Sequence, residues 1–335
     1  MSVIGVDLGG TKVALASLRD GDLGESVVAK TDCSSPDALI EQLVGMLRSA
    51  RVDDLGAVGV GVPSVVEFET GRVVSSVNVP LADVPLRRVL GDRLGVSVFV
   101  DNDATVAALA EAHDAQMRLV AHNLVMLTIG TGIGGGIVLG GRIYRGATGG
   151  AGELGHTIIG LDLERPVPEA VRFPLPGSLE CAAAGVALDR LAERASGEHP
   201  DSALGRLRAE GRPVLGREAV RAARDGDPAA ARIVELWAER LGIGIANAIN
   251  TFDPDEVVIG GGAAQAGDLL LDPARRVAVA HVVPGLGGRT KIRLARHGVR
   301  AGVLGAALLA AHELEASDAP SSTQVKASDT HRARR

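Results

Sequence analysis

Aromatic side chains are nearly missing from this chain: they make up 2% of its 335 residues, while hydrophobic residues make up 46%. Any core must therefore be built from Ala, Val, Leu and Ile. The two cysteines, Cys33 and Cys181, sit in no C-x-x-C pair, which excludes a disulfide framework. No apolar run reaches the ~20 residues of a membrane span. The N-terminus opens into a strand, with neither a charged n-region nor a long apolar h-region, so no leader is expected and the expected location is cytoplasmic. Net charge is −6 with 23% charged residues, leaving no global basic surface for nucleic acid or anionic lipid. Lysine is also rare, four residues against 31 arginines, which sets off Lys12 beside a glycine turn. No G-x-x-x-x-G-K-[ST] occurs, and a Walker phosphate loop is out.

The length allows two domains, each with a sizeable core. The chain is organised around residues 124–156. An apolar run (125–129) enters a turn dense in glycine (Gly130, Gly132, Gly134, Gly135, Gly136), a second run (137–139) leaves it, and Glu153-Leu-Gly-His156 follows. Bare glycine backbone lets peptide N–H groups close on an anion, so the turn reads as a phosphate cradle. A glycine-rich hairpin without a ligand is the plainer alternative. Glu153 and His156 supply an acceptor and a switchable donor for the hydroxyls of a small substrate. Gly130, Gly132 and Gly135 also satisfy G-x-G-x-x-G, but that fingerprint needs a helix after it. Strand-like I-V-L-G-G follows here, so a Rossmann site is not expected.

Residues 3–18 repeat the plan: strand, polar turn D-L-G-G-T-K (Asp7 to Lys12), strand. The two halves therefore look related in pattern, with few identities. Asp7 could hold Mg²⁺ through water, or be a turn-forming residue. Leu39, Leu43 and Leu47 predict a helix over 36–50. A buried strand (55–62), a hairpin (65–77), a loop with Asn78 as polar ligand or plain turn residue, and a short helix (85–94) come next. A strand at 96–100 then runs into Asp101, Asn102 and Asp103 before a helix over 104–114. Polar residues at a strand's C-terminal end occupy the ligand crevice of an open α/β sheet. The positive end of the helix favours Asp103 as a carboxylate, the state a general base requires. N-capping by Asp101 or Asp103 is the competing reading.

Farther on, 157–176 is a proline-bearing irregular loop. Gly177-Ser-Leu-Glu180 leads a helix to about 195, an interrupted helix covers 203–224, and a long one covers 229–252. A strand (256–259) enters Gly260, Gly261 and Gly262, where a flat ring could lie against backbone, or where the chain simply turns into a helix (263–270). A last strand (292–295) and an apolar helix (302–314) precede residues that cannot bury a core.

Taken together, Asp7 to Lys12, Asp101 to Asp103, Gly130 to Gly136, Glu153 to His156, Gly177 to Glu180 and Ile259 to Gly262 resemble the ROK family, and within it the bacterial glucokinases. The resemblance spans about residues 3–314. It implies the actin-like, ribonuclease H-like α/β fold, a duplicated two-domain sugar kinase fold with an interdomain cleft. Residues 1–115 would form the N-terminal domain, completed by the C-terminal helix 301–315, residues 116–300 the larger C-terminal domain, and 316–335 a disordered tail. The implied activity is ATP-dependent phosphorylation of glucose at the 6-hydroxyl. Asp103 would be the base, with Asn78, Asn102, Glu153, His156 and Glu180 bonding the other sugar hydroxyls. Asp7, Gly9, Gly10, Thr11, Lys12, Thr131 and Gly132 would surround the phosphates and Mg²⁺, and Gly261 and Gly262 would lie near adenosine. A homodimer or homotetramer goes with the resemblance. Mannose, fructose or an N-acetylhexosamine as substrate, polyphosphate as donor, or a silent sugar-binding regulator are the alternatives. Family repressors carry a helix-turn-helix ahead of the first glycine turn. Here that turn begins at Asp7, so a DNA-binding regulator is not expected.

Two departures stand out. Many family members carry C-x-C-G-x-x-G-C before the glutamate and bind structural zinc there with a nearby histidine. Here the stretch reads R-F-P-L-P-G-S-L-E, with Ser178 where the last cysteine would fall and Cys181 beyond Glu180. One thiol and His156 cannot complete a four-ligand site, so no zinc is expected. Ser64 follows Pro63 where the family commonly has Gly.

Overall fold

The apolar runs flanking each glycine turn become strands buried on both faces. The computed structural model describes residues 1–318 apart from residues 51, 77, 163, 165 and 168. The first half comprises β1 (Ser2–Leu8), β2 (Lys12–Arg19), β3 (Asp22–Leu23), β4 (Val27–Lys30), α1 (Pro36–Ser49), β5 (Leu55–Val62), the hairpin β6 (Ser64–Glu67) and β7 (Arg72–Ser76), α2 (Leu86–Leu94) and β8 (Ser97–Asn102). Ser35 caps α1 by accepting from the Ala38 amide, and Pro36 starts the helix, as expected for a residue whose missing N–H would have no partner there. The first sheet runs β3-β2-β1-β5-β8, with β4 also on β2. β1 pairs antiparallel with β2 and parallel with β5, and β5 parallel with β8.

The second half comprises α3 (Asp103–Glu111), β9 (Leu124–Ile129), β10 (Ile133–Leu139), β11 (Arg142–Ile143), α4 (Leu179–Ala183), α5 (Gly185–Glu198), α6 (Ala203–Ala209), α7 (Gly216–Arg224), α8 (Pro228–Phe252), β12 (Glu256–Gly260), α9 (Asp268–His281), β13 (Lys291–Leu294) and α10 (Ala301–Asp318). Its sheet runs β11-β10-β9-β12-β13, with the antiparallel pair β9–β10 followed by parallel pairs β9–β12 and β12–β13. The two sheets thus share order and sense. The repeat seen in pattern is a repeat of topology.

Helices α1 and α2 cover the outer face of the first sheet through Leu39, Leu43, Leu86 and Leu90. The second sheet is covered by α5, α8 and α9. Between the sheets lie α3 and α10, joined through Val106, Leu109, Leu304 and Leu308. Small residues set how close these layers come. A Cβ at Gly5 or Gly59 would run into the backbone of Val303 or Ala306 on α10, and one at Gly305 into Val106 of α3. At the far end of α3, Glu111 is 0% exposed. It accepts from Arg293 Nη1 (2.6 Å) and from the amides of Arg296 and His297 (both 2.9 Å), which offsets the cost of burying its charge. Among the described residues no helix is long and apolar enough to cross a membrane.

Three expectations change. Gly134, Gly135 and Gly136 belong to β10, not to the turn. A Cβ at Gly136 would stand 2.6 Å from the Ala104 carbonyl, so Gly136 lets the strand meet α3, while one at Gly135 would run into the Gly152 carbonyl. The helix over 263–270 is a 3-10 turn (Gly262–Ala266) and then α9, broken by Gly267 at φ +64. α10 continues to Asp318, so residues 316–318 are helix and not tail, while 319–335 lie outside the described residues.

Candidate active site

The end of β8 places three polar residues in three different roles. Asn102, in extended conformation, caps α3: its Oδ1 accepts from the Ala104 and Thr105 amides at 2.9 and 3.1 Å. Capping by Asp101 or Asp103 is thereby corrected. Asn102 is the last strand residue, so its side chain is the one that reaches the first turn. Asp103 is the first helical residue and accepts from the Ala104 amide at 2.8 Å. Burial raises its carboxyl from 3.8 to about 6, helped by the charges of Asp7 and Glu153 and opposed by backbone amides. Asp101 is buried and paired with Arg145.

Three cavities hold most of the candidate residues, and Asp103 lines the second. The first, about 220 Å³, is lined by Asn78, Asn102 and Glu153 with Ser64, Ser76 and Thr105. The second, about 250 Å³, is lined by Asp7, Lys12, Asp103, Thr128 and Gly261. The third, about 730 Å³, is lined by Thr131 and Gly262 with Ile129, Val186, Arg217 and Gln265. Asn102 and Asp103 are adjacent in the chain and wall the first and second. Gly261 and Gly262 do the same for the second and third.

Asp7 lies at the end of β1 against the first turn of α10. A Cβ at Gly302 would stand 2.5 Å from its Cγ. Burial pushes the Asp7 carboxyl up, and Lys12 opposes this. The first glycine turn is closed by Gly9 N donating to Lys12 O (2.9 Å) and held by Thr31 Oγ1 on Gly9 O (2.7 Å). Gly10 abuts Asn78, whose carbonyl a Cβ would approach to 2.9 Å. Gly10 thus touches a wall residue of the first cavity, while Gly9, Gly10 and Thr11 themselves are not in the walls of the three cavities.

In the second turn Gly130 N donates to Gly132 O at 2.9 Å. Glu180 Oε2 accepts from Ile133 N at 2.7 Å, and it lies so near Gly132 that a Cβ there would stand 2.5 Å away. Glu180 thus braces the turn and is outside the wall of the first cavity. Gly261, at φ +77, passes within 2.5 Å (from a Cβ) of the Ile129 carbonyl, so it is both a tight turn and a cavity wall.

His156 also lies outside that wall. Its Nε2 is 3.7 Å from Glu153 Oε2, its ring meets Phe173 edge-on at 5.4 Å, and its buried Nδ1 has no hydrogen-bond partner among the described residues. Ser178 Oγ is occupied in capping α4, accepting from the Cys181 amide at 3.2 Å. No three His, Cys, Asp or Glu side chains among the described residues gather as metal ligands. Cys181 and His156 alone fall short of the four ligands of a structural zinc site.

Sequence reasoning placed the hairpin (65–77) but missed that its serines line the first cavity. Ser64 Oγ donates to Ser76 Oγ (2.8 Å), which donates to Val79 O (2.8 Å). The signal was a serine directly after Pro63, at the end of a buried strand. It also missed Arg217 and Gln265, for which local sequence carries no signal.

Two sheets of one topology, with the desolvated carboxylate of Asp103 in a cavity lined from both of them, define a two-domain, actin-like α/β protein. The chain belongs to the ROK family, whose profile matches residues 3–313. A glucokinase from Halalkalibacterium halodurans is 34% identical over 319 residues, 90% of this chain and 92% of that one. Of solved structures, a ROK hexokinase from Thermus thermophilus is 38% identical, with TM-score 0.73 over 94% of this chain and 100% of the other. A ROK glucokinase from Streptomyces griseus, in complex with glucose and AMPPNP, is 30% identical, with TM-score 0.74 over 93% and 100%. The similarity also extends to an N-acetyl-D-glucosamine kinase from Histophilus somni, 32% identical over 91% of this chain and 97% of that one.

Proposed function

We propose that this chain is a hexose kinase that transfers the terminal phosphoryl group of ATP to the 6-hydroxyl of glucose. The observation that carries the reading is Asp103, a desolvated carboxylate that lines the second cavity next to Lys12 and Gly261 and follows Asn102, which walls the first. The small first cavity takes the sugar, with Asn78, Asn102 and Glu153 on its hydroxyls. The larger third cavity takes the nucleoside, whose phosphates reach back past Gly261 to Lys12 and the two glycine turns.

Asp103 is held at about 6, so it is mostly ionised at neutral pH and still basic enough to accept a proton in the transition state. It takes the proton of the 6-hydroxyl as that oxygen bonds to phosphorus and the bond to ADP breaks. The rest is positioning and charge stabilisation, the main demands of phosphoryl transfer. Backbone N–H groups of the turns and the Lys12 ammonium face the phosphate charge. Asp7, a desolvated carboxylate in the same cavity, is a suitable oxygen donor for Mg²⁺, through water. Bound with the nucleotide, Mg²⁺ supplies charge neutralisation on the phosphates. Zinc has no part in this reading. The family resemblance adds a cytoplasmic, homo-oligomeric enzyme.

Glucose is favoured over N-acetylated sugars by the small first cavity and by the glucokinase and hexokinase relatives. The test is a panel of hexoses and N-acetylhexosamines with ATP or polyphosphate, scored by kcat/KM. Glucose with ATP should lead. A different leading pair would reassign the substrate, and no turnover of any pair would overturn the kinase reading.

A further inference from the structure

The segment after β11 carries Arg145 to the back of the Asp101–Asp103 stretch. Its Nε donates to Asp101 Oδ2 at 2.7 Å and its Nη2 to Glu313 Oε1 at 3.1 Å. Its guanidinium carbon stands 3.4 Å from the centre of the Phe68 ring. One side chain of the second half thus holds β8, α10 and the tip of the β6–β7 hairpin. Asp101 is 3% exposed, and its other oxygen, Oδ1, accepts from the Asn102 amide at 2.9 Å. Asn102 in turn caps α3 and walls the first cavity.

We propose that Arg145 is a positioning residue for the sugar, acting through Asp101 on the backbone of Asn102 and hence on the placement of Asp103. The proposal rests on the kinase reading of the cleft. A guanidinium is needed because its planar fork donates to two carboxylates while its face lies on Phe68; an ammonium reaches one partner and does not stack in this way. A purely structural ion pair makes a different forecast, because such a pair is weak evidence for stability and its loss has no reason to single out the sugar.

The test is steady-state kinetics and sugar calorimetry on the full chain, comparing wild type with Arg145→Lys, Arg145→Ala and Glu313→Gln. Arg145→Lys should raise the sugar KM and dissociation constant by about tenfold or more and lower kcat, with the ATP KM within about twofold. The asymmetry is expected because Arg145 touches none of the residues lining the nucleotide cavity. Glu313→Gln keeps the Asp101 contact and should stay within about threefold of wild type. Arg145→Ala should exceed Arg145→Lys, and if it fails to fold, Arg145→Lys decides. Wild-type-like sugar constants in Arg145→Lys, or equal losses for sugar and ATP that track a falling Tm, would overturn the proposal alone. A wild-type protein that neither binds nor turns over any hexose would overturn the kinase reading and this proposal with it.

Discussion

Asp7 and Asp103 face one cavity from the ends of β1 and β8, strands separated only by β5, and the charge of Asp7 helps hold the Asp103 carboxyl at about 6. Burial is the larger cause of the rise at Asp103, and the negative charge of Asp7 adds to it.

From this pair follows a pH dependence. The base must be ionised, so kcat/KM should fall as pH drops through about 6. Removing the neighbouring negative charge with Asp7→Asn should lower the proton affinity of Asp103 and move the acidic limb to lower pH. Rate profiles on wild type and on the residual activity of the variant check this. A limb that stays put, or moves up, would contradict the coupling.

The same burial sets a stability trend. The folded Asp103 binds its proton more tightly than the unfolded 3.8 group. Its contribution therefore favours the fold below about pH 4 and is lost as pH rises through about 6. Asp103→Asn should accordingly stabilise the protein at neutral pH by about 1–3 kcal/mol, less whatever helix-dipole interaction the carboxylate loses. Thermal unfolding at pH 4 and pH 7.5 tests it: the gain in Tm should appear at the higher pH and shrink at the lower.

Gly302 is where α10 touches the site. Its missing Cβ leaves room for the Asp7 carboxylate at 2.5 Å. Gly302→Ala should push Asp7 or the start of the helix aside, costing about 1–3 kcal/mol of stability and about tenfold or more in kcat/KM for ATP. Unchanged kinetics would mean that Asp7 has no part in handling the phosphates.

Much of this was legible in sequence because the chemistry sits at strand ends. Asp7 and Asp101–Asp103 each terminate an apolar run, and the D-L-G-G-T-K and G-T-G-I-G-G-G turns carry their glycines in the open. What period-2 reading could not separate was which glycines cradle and which pack. Gly134–Gly136 read as turn residues, and only the approach of α3 to Gly136 and of the Gly152 carbonyl to Gly135 shows why β10 needs those two bare. The cap on α3 was equally ambiguous, since Asp101, Asn102 and Asp103 are all good capping residues and only the register of β8 selects Asn102. Arg145 had no local signal at all. Its partners lie 44 and 168 residues away in sequence.

Metal removal separates two roles. Chelation should abolish turnover, Mg²⁺ alone should restore it, and Tm should not move, because Cys181 and His156 alone cannot make up a four-ligand zinc site. A drop in Tm on chelation, reversed by Zn²⁺ and not by Mg²⁺, would contradict this.

The measurement closest to the centre of the account is kcat for Asp103→Asn with ATP and glucose at saturating Mg²⁺, alongside its Tm. Without a base beside the attacking hydroxyl, kcat should fall by about 10²–10⁴ while the protein stays folded. Turnover near the wild-type rate in a folded variant would mean that this carboxylate does not take the proton.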